Sequence, residues 1–281
     1  TEDPPQDSTV PQKLFCLQQE EGQSCSFEVL IYRELTGTAN FITAEHIFFM
    51  NQQRIVLKQA HIVLRDSGLI MEQGRLDYMR GDLTLSAGLA PTKGYGGLLG
   101  AFMRVIAARE SLFLSRVVGT GDIYLTPTFR HLLLVRLDDE SIIADRTMFI
   151  AAEDRLSVTA MRQPTLSAAL FGGEGLFQTR VSGTGIALFR SPVPKDEIRR
   201  IDLQDDVLQV DGNFAILRSE SLEFTVHWAS HRHPLQSVVS GELLLQTFTG
   251  TGSIWLAPTK RVYEDIEAYH SSDSRKRFKV L

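Results

Sequence analysis

Three glutamates stand at the head of three near-copies of one segment. Glu110 opens Glu-Ser-Leu-Phe-Leu-Ser-Arg-Val-Val-Gly-Thr-Gly, Glu174 opens Glu-Gly-Leu-Phe-Gln-Thr-Arg-Val-Ser-Gly-Thr-Gly, and Glu242 opens Glu-Leu-Leu-Leu-Gln-Thr-Phe-Thr-Gly-Thr-Gly. Carboxylates that recur in this way could converge on a hard cation, which takes clustered oxygen ligands. They could also accept hydrogen bonds from backbone donors of their own connection, a common way to close a loop. An element copied along with its segment belongs to the construction of that segment. Each carboxylate is therefore expected to meet backbone N–H groups, with no shared ion.

His227, His231 and His233 form the second cluster. In a strand the last two would point to one face, which is how a cupin-type metal site begins. Such a site needs a glutamate a few residues on. Here Gln236, Ser237 and two valines follow, and Pro234 points to chain leaving a strand. Connecting-loop histidines are the expectation, and a cupin-like metalloprotein is kept as an alternative.

No Gly-x-Ser-x-Gly elbow, phosphate loop or dinucleotide fingerprint occurs. Gly94 to Gly100 is glycine-rich but lacks a following Lys-Ser/Thr, so it reads as the entry to a helix. No cofactor is expected. Cys16 and Cys25 match no metal or redox spacing, and a disulfide framework would need more cysteines, which favours a reducing compartment. The net charge of −5 gives no overall basic field for nucleic acid or acidic lipid. The local run from Arg275 (Arg-Lys-Arg-Phe-Lys) could touch an acidic surface, but reads first as a solvated chain end. Apolar residues at 43% and charged residues at 22% are ordinary for a globular chain, and no apolar run approaches the ~18 residues of a membrane helix.

These residues must be positioned by the repeat. The Gly-Thr-Gly elements begin at Gly119, Gly183 and Gly250, which are steps of 64 and 67 residues. That period exceeds a solenoid unit and falls short of an ordinary domain. Before the first two, Phe113, Ser115 and Val117, and likewise Phe177, Thr179 and Val181, fall at period two, the pattern of a strand with one face on a core. Glycines on both sides of a threonine predict a tight reversal, followed by a second strand over 122–125, 186–189 and 253–256. Tyr124, Leu188 and Trp255 share one position in it, so both faces are apolar and one is expected to pack a neighbour. Asp145-Arg-Thr-Met-Phe-Ile and Asp211-Gly-Asn-Phe-Ala-Ile form a second repeated element, with a weaker relative from Glu72.

Leu98, Leu99, Phe102, Met103, Val105 and Ile106 fall at helical spacing and predict one short amphipathic helix whose apolar side faces protein. From Phe27 a β-like stretch runs to Thr36-Gly37-Thr38, either a degenerate fourth hairpin or chance in a β-rich chain. The expected organisation is a disordered tail over 1–13 and an N-terminal extension with the first β module over 14–109. A second module over 110–173 and a third over 174–241 follow, then a closing hairpin over 242–260 and a C-terminal tail over 261–281. The fold class is all-β, with triplicated modules around a pseudo-threefold axis.

The Gly-Gly-Leu-Leu-Gly-Ala-Phe run from Gly96, Glu-Ser-Leu-Phe from Glu110, Gly-Gly-Glu-Gly-Leu-Phe from Gly172 and the Thr-Gly-Thr-Gly elements resemble the altered-inheritance-of-mitochondria family, number twenty-four of that series. The resemblance covers roughly residues 68–258. It implies a TRAP-like double-stranded β-helix fold, and in fungi a place at the mitochondrial inner membrane. Two departures stand out: the third copy lacks an arginine equivalent to Arg116 and Arg180, and residues 14–67 fit poorly.

The functional expectation is a non-enzymatic scaffold or protein-interaction module whose partner is another protein or a second copy of this chain. The resemblance ties it to membrane organisation. A small-ligand or RNA-binding protein is the alternative, resting on fold analogy. DNA is not expected, RNA ranks behind protein, and peripheral membrane contact is left open. The compartment would be the cytoplasm in a prokaryote and the mitochondrial inner membrane in a eukaryote.

Overall fold

In the computed structural model residues 14–37, 40–87, 114–145, 147–162, 177–211, 214–228 and 244–277 are described. They form one antiparallel β system with two α-helices. An N-terminal hairpin, β1 (Leu14–Glu21) and β2 (Cys25–Tyr32), leads through helix α1 (Phe41–Gln52) to three strand sets. The first set is β3 (Leu57–Glu72), β4 (Leu76–Ala87) and β5 (Leu114–Leu125). The second is β6 (His131–Asp145), β7 (Phe149–Glu153), β8 (Ser157–Arg162) and β9 (Phe177–Ser191). The third is β10 (Arg199–Asp211), β11 (Ala215–Ser219), β12 (Glu223–Trp228) and β13 (Leu244–Leu256), followed by helix α2 (Lys260–Arg277).

Each set is built on one long antiparallel pair: β3 with β5, β6 with β9, and β10 with β13. Each pair carries a register shift at the same place, between Leu64 and Ser67, Leu137 and Glu140, and Leu203 and Asp206. Opposite each shift lies a Gly-Thr-Gly element. The chain does not reverse there, because Gly119, Gly183 and Gly250 lie inside continuous strands. The tight turns expected from sequence are therefore not formed, and the closing hairpin expected over 242–260 is a single strand to Leu256. Glycine supplies positive φ at these positions (131°, 118° and 117°), which matches a β-bulge as well as a turn.

The bulge explains the threonine. Asp66, Asp139 and Asp205 take up the extra residue with φ near +50°, a region Asp tolerates better than most side chains. Their backbone N–H groups leave the ladder and donate to Thr120, Thr184 and Thr251 Oγ1 at 2.9, 2.9 and 3.0 Å. Thr184→Val keeps the shape and removes the acceptor. It is expected to cost about 1 kcal/mol in urea unfolding, the net worth of one exposed hydrogen bond.

The pairs stack through shared faces. Phe27, Ile62, Leu64, Leu69 and Ile123 pack with Leu132, Leu134, Ile150, Ile186 and Leu188. The opposite face of β6 and β9, with Leu133, Val135, Leu137, Ile142 and Phe189, packs against Ile216, Leu217 and Ala257. Burial on both faces accounts for the unbroken apolar run Leu132 to Val135. A third cluster joins Leu203, Val210, Leu222, Phe248 and Ile254.

The fourth hairpin considered at Gly37 does not form, since β2 ends at Tyr32 and residues 33–37 lead to α1. Asn40 caps α1 by accepting from the Thr43 N–H at 2.9 Å. At the other end, Glu197 in a short 3-10 helix (Lys195–Glu197) accepts from the hydroxyls of Thr259 and of Tyr263, the latter at 2.8 Å. These bonds, Thr259 first and then Tyr263, hold its carboxyl below the usual carboxylate range. A depressed carboxyl stabilises above its unfolded pKa and ceases to as pH falls through the folded value. The attachment of α2 is therefore expected to loosen in acid, measured as amide exchange in residues 260–266, and Tyr263→Phe should weaken it at neutral pH.

Candidate functional site

Glu110, Glu174 and Glu242 lie outside the described residues, as do His231, His233, the Gly94–Gly100 run and the helix expected around Phe102. His227 belongs to β12. Among the described residues no group of three or more His, Cys, Asp or Glu side chains is placed to hold a metal ion. What the fold does bring together are the seams between strand sets, a polar row on the first set and an uncovered helix.

At the first seam β7 of the second set pairs with β3 of the first, Leu69–Met71 against Glu153–Ala151. At the second, β11 pairs with β6, Ile142–Ala144 against Ser219–Leu217. Each seam is pinned alike. The Asp154 N–H donates to Gly68 O at 2.9 Å and the Glu220 N–H to Ser141 O at 2.8 Å. The same two residues accept from arginines, Asp154 from Arg116 and Glu220 from Arg180, the latter at 2.6 Å. The repeated arginines seen in the sequence thus fasten one set to the next.

Register places Thr247 where Arg116 and Arg180 stand, and Gly81 where Asp154 and Glu220 stand. Both members of a third clasp are absent together. Correspondingly, among the described residues β4 pairs only with β5, and β10 only with β13. The N-terminal hairpin lies along β3 instead, and β1 reaches β6 through Gln18 Nε2 to Leu132 O at 3.0 Å and through Arg136 to Glu20 at 2.9 Å.

Glu153 organises the first seam. Pairing of β9 with β7 stops at Ala187 and resumes with β8 at Ser182, so the Ile186 N–H falls in a gap. The buried Glu153 carboxylate accepts it at 2.9 Å and holds Arg155 Nε at 2.6 Å. In the third set the Ser219 hydroxyl takes the matching N–H, that of Ser253, at 2.9 Å. Around this seam lies a polar groove of about 580 Å³ whose lining includes Asp66, Asp82, Arg116, Glu153, Asp154 and Arg155. Burial, followed by the charge of Glu153, pushes the Cys25 thiol at its edge up to about 12. Cys25 stays protonated and enclosed, whereas Cys16 is exposed. Thiol titration with a disulfide reagent is expected to find Cys16 at once and Cys25 only on unfolding.

Across β2 and the three strands of the first set runs one row. The ring nitrogens of His61 lie 2.9 Å from Glu28 Oε2 and 2.8 Å from Asp122 Oδ1. The ring stacks on Tyr124 at 4.4 Å, and Tyr78 stacks on the far side of Tyr124 at 4.4 Å. This row ties β2, the last strand of the N-terminal hairpin, across β3 to β5.

Helix α1 departs furthest from apolar burial, with Phe41 and Ile42 the most exposed of the large apolar side chains among the described residues. None of its residues is buried, although Phe41, Ile42, Phe48 and Phe49 are all among them. Phe41 is 81% exposed, and Phe48 and Phe49 meet only edge to face. Clustered exposed apolar side chains mark contact surfaces, while scattered ones are normal. The sequence did carry a signal for this helix, Asn40 ahead of an apolar run, but apolar residues on every side gave no amphipathic period.

An uncharacterized protein of Streptococcus pyogenes serotype M6 is 28% identical over 191 residues, covering 66% of this chain and 75% of the relative. The crystal structure of a second Streptococcus pyogenes protein, solved by structural genomics, matches with a TM-score of 0.55 at 23% identity, covering 76% of this chain and 94% of that one. That likeness supports the fold. The family described as mitochondrial biogenesis AIM24 matches residues 49–259, which takes in all three strand sets but not the N-terminal hairpin, and the chain belongs to that family.

Proposed function

We propose that this protein is a non-enzymatic β scaffold that acts by binding other protein surfaces, with α1 as its contact element. The uncovered apolar helix carries the reading. Leaving four large apolar side chains in water forgoes burial worth roughly 1.5–3 kcal/mol each, which a partner would recover. The proposal extends to architecture: the three sets stand about a pseudo-threefold axis in the TRAP-like double-stranded β-helix manner, with the third seam unfastened. The like bulges and the two like clasps support that arrangement. The family description supports work at mitochondria in a eukaryotic source, and we place the protein there as a peripheral inner-membrane protein. No helix among the described residues is long and apolar enough to cross a membrane.

The test is the Phe48→Ser/Phe49→Ser double variant. Both rings are more than half exposed, so unfolding should shift by no more than ~0.5 kcal/mol per site. Affinity capture from the native cell and light scattering of the purified chain should both show the loss of a complex that the unsubstituted protein forms. An unchanged set of captured proteins and an unchanged mass would refute α1 as the contact.

A further inference from the structure

A second cavity, of about 260 Å³, opens where the ends of β6, β9, β11 and α2 meet. Its polar lining is Arg130, Arg190, Lys260, Thr147, Ser191 and Asp145. Three of these are occupied by their own turns: Asp145 Oδ1 accepts from the Thr147 N–H and hydroxyl at 2.9 Å each, and the Ser191 hydroxyl donates to Val193 O at 2.6 Å. Lys260 reaches Glu264 at 3.7 Å, a long and partly exposed contact.

The arginines are different. Among the described residues neither Arg130 nor Arg190 has a carboxylate at ion-pair distance, and Glu72, the acid nearest in influence to Arg190, is held by Arg75 at 2.6 Å. Arg190 is half-buried, and its guanidinium is pulled below its usual range by burial first, then by Arg75 and Arg130. A half-buried cation among cations carries a cost that Glu72, itself held by Arg75, offsets only in part. The two arginines face a single lining carboxylate, Asp145, which its own turn already engages, while Lys260 is met by Glu264 from outside the lining.

We propose that this cavity is a binding site for a phosphate-bearing small molecule or headgroup, held by Arg190 and Arg130 with Lys260 beside them. A phosphate monoester carries about −1.5 to −2 charges at neutral pH and three acceptor oxygens, enough to meet both arginines at once. Planar guanidinium groups match its oxygens two at a time. The volume of about 260 Å³ sits just below the ~300 Å³ at which drug-sized pockets begin, fitting a headgroup-sized ligand. The site is independent of α1 and of the scaffold reading.

Calorimetric titration of the full chain with inorganic phosphate and with pyrophosphate, alongside flotation with phosphatidylcholine vesicles with and without phosphatidic acid, tests this. Binding of either anion that weakens with added salt, or flotation that requires phosphatidic acid, supports the site. The first outcome assigns the phosphate to a free ligand and the second to a lipid headgroup. In either case Arg190→Gln should weaken binding by about tenfold or more, one charge-assisted contact being worth that much. Should Arg190→Gln fail to fold by circular dichroism, the exposed Arg130→Gln carries the comparison. No heat from either anion together with no dependence on phosphatidic acid would overturn the proposal. So would binding that the folded variants leave unchanged. The Phe48→Ser/Phe49→Ser protein should bind the anions as the unsubstituted one does.

Discussion

Gly119→Ala is expected to destabilise the protein by about 3–5 kcal/mol, whereas Gly183→Ala and Gly250→Ala cost only about 1–2 kcal/mol each. All three sit at positive φ, so all three alanines meet the strain of a left-handed backbone. The surroundings separate them. A Cβ at Gly119 overlaps the backbone carbonyl of Asp82 on β4, which cannot swing aside. At Gly183 the nearest atom is a methyl of Leu156 at 3.5 Å, and at Gly250 the nearest is Ser221 O at 3.9 Å, both ordinary contacts. The difference arises because β4 runs unbroken past the Gly-Thr-Gly element, while β7/β8 and β11/β12 are interrupted opposite theirs. Urea midpoints for the three variants decide the matter. Equal losses would mean that β4 does not press on β5 as described.

Glu153→Ala is the second large effect, about 2–4 kcal/mol. It strands the buried Ile186 N–H, removes the carboxylate that holds Arg155 Nε and opens a void beside Cys25. Glu153→Gln keeps an acceptor and most of the volume and should recover about half of the loss. Ser219→Ala, at the matching place in the third set, should cost only ~1 kcal/mol because a hydroxyl there holds a single N–H. Chemical unfolding of the three variants gives the order Glu153→Ala, Glu153→Gln, Ser219→Ala. A Glu153→Ala protein within 0.5 kcal/mol of the unsubstituted one (about the error of such measurements) would show that water serves Ile186 instead.

Much of the β content was legible before the structure. Alternation at Ser115 and Val117 and the match of Tyr124, Leu188 and Trp255 found real strands in real register. Gly-Thr-Gly was misread because positive φ serves turn and bulge alike, and only the partner strand tells them apart. That partner carried its own signal: Leu64-x-Asp66-x-x-Leu69, Leu137-x-Asp139-x-x-Ile142 and Leu203-x-Asp205-x-x-Leu208 recur opposite the three elements. The seam acids were not legible in the same way. Asp154 and Glu220 differ in type and meet Arg116 and Arg180 only through tertiary approach, as do the arginines of the small cavity.

The three long pairs also dictate how the chain can assemble in time. Leu64 meets Gly121, Leu137 meets Gly185 and Leu203 meets Gly252, so every bulged pair closes within its own third of the chain. Loop-closure entropy grows only slowly with length, and these three loops are similar, so none has a large head start over the others. Each set can condense alone, and the clasps of Arg116 to Asp154 and Arg180 to Glu220 can form only after both neighbours exist. During synthesis the first set would be complete before the last has left the ribosome, with β3 already awaiting β7. Its N-terminal hairpin, made earlier still, occupies the other half of the same strand and leaves β7 a single place to dock.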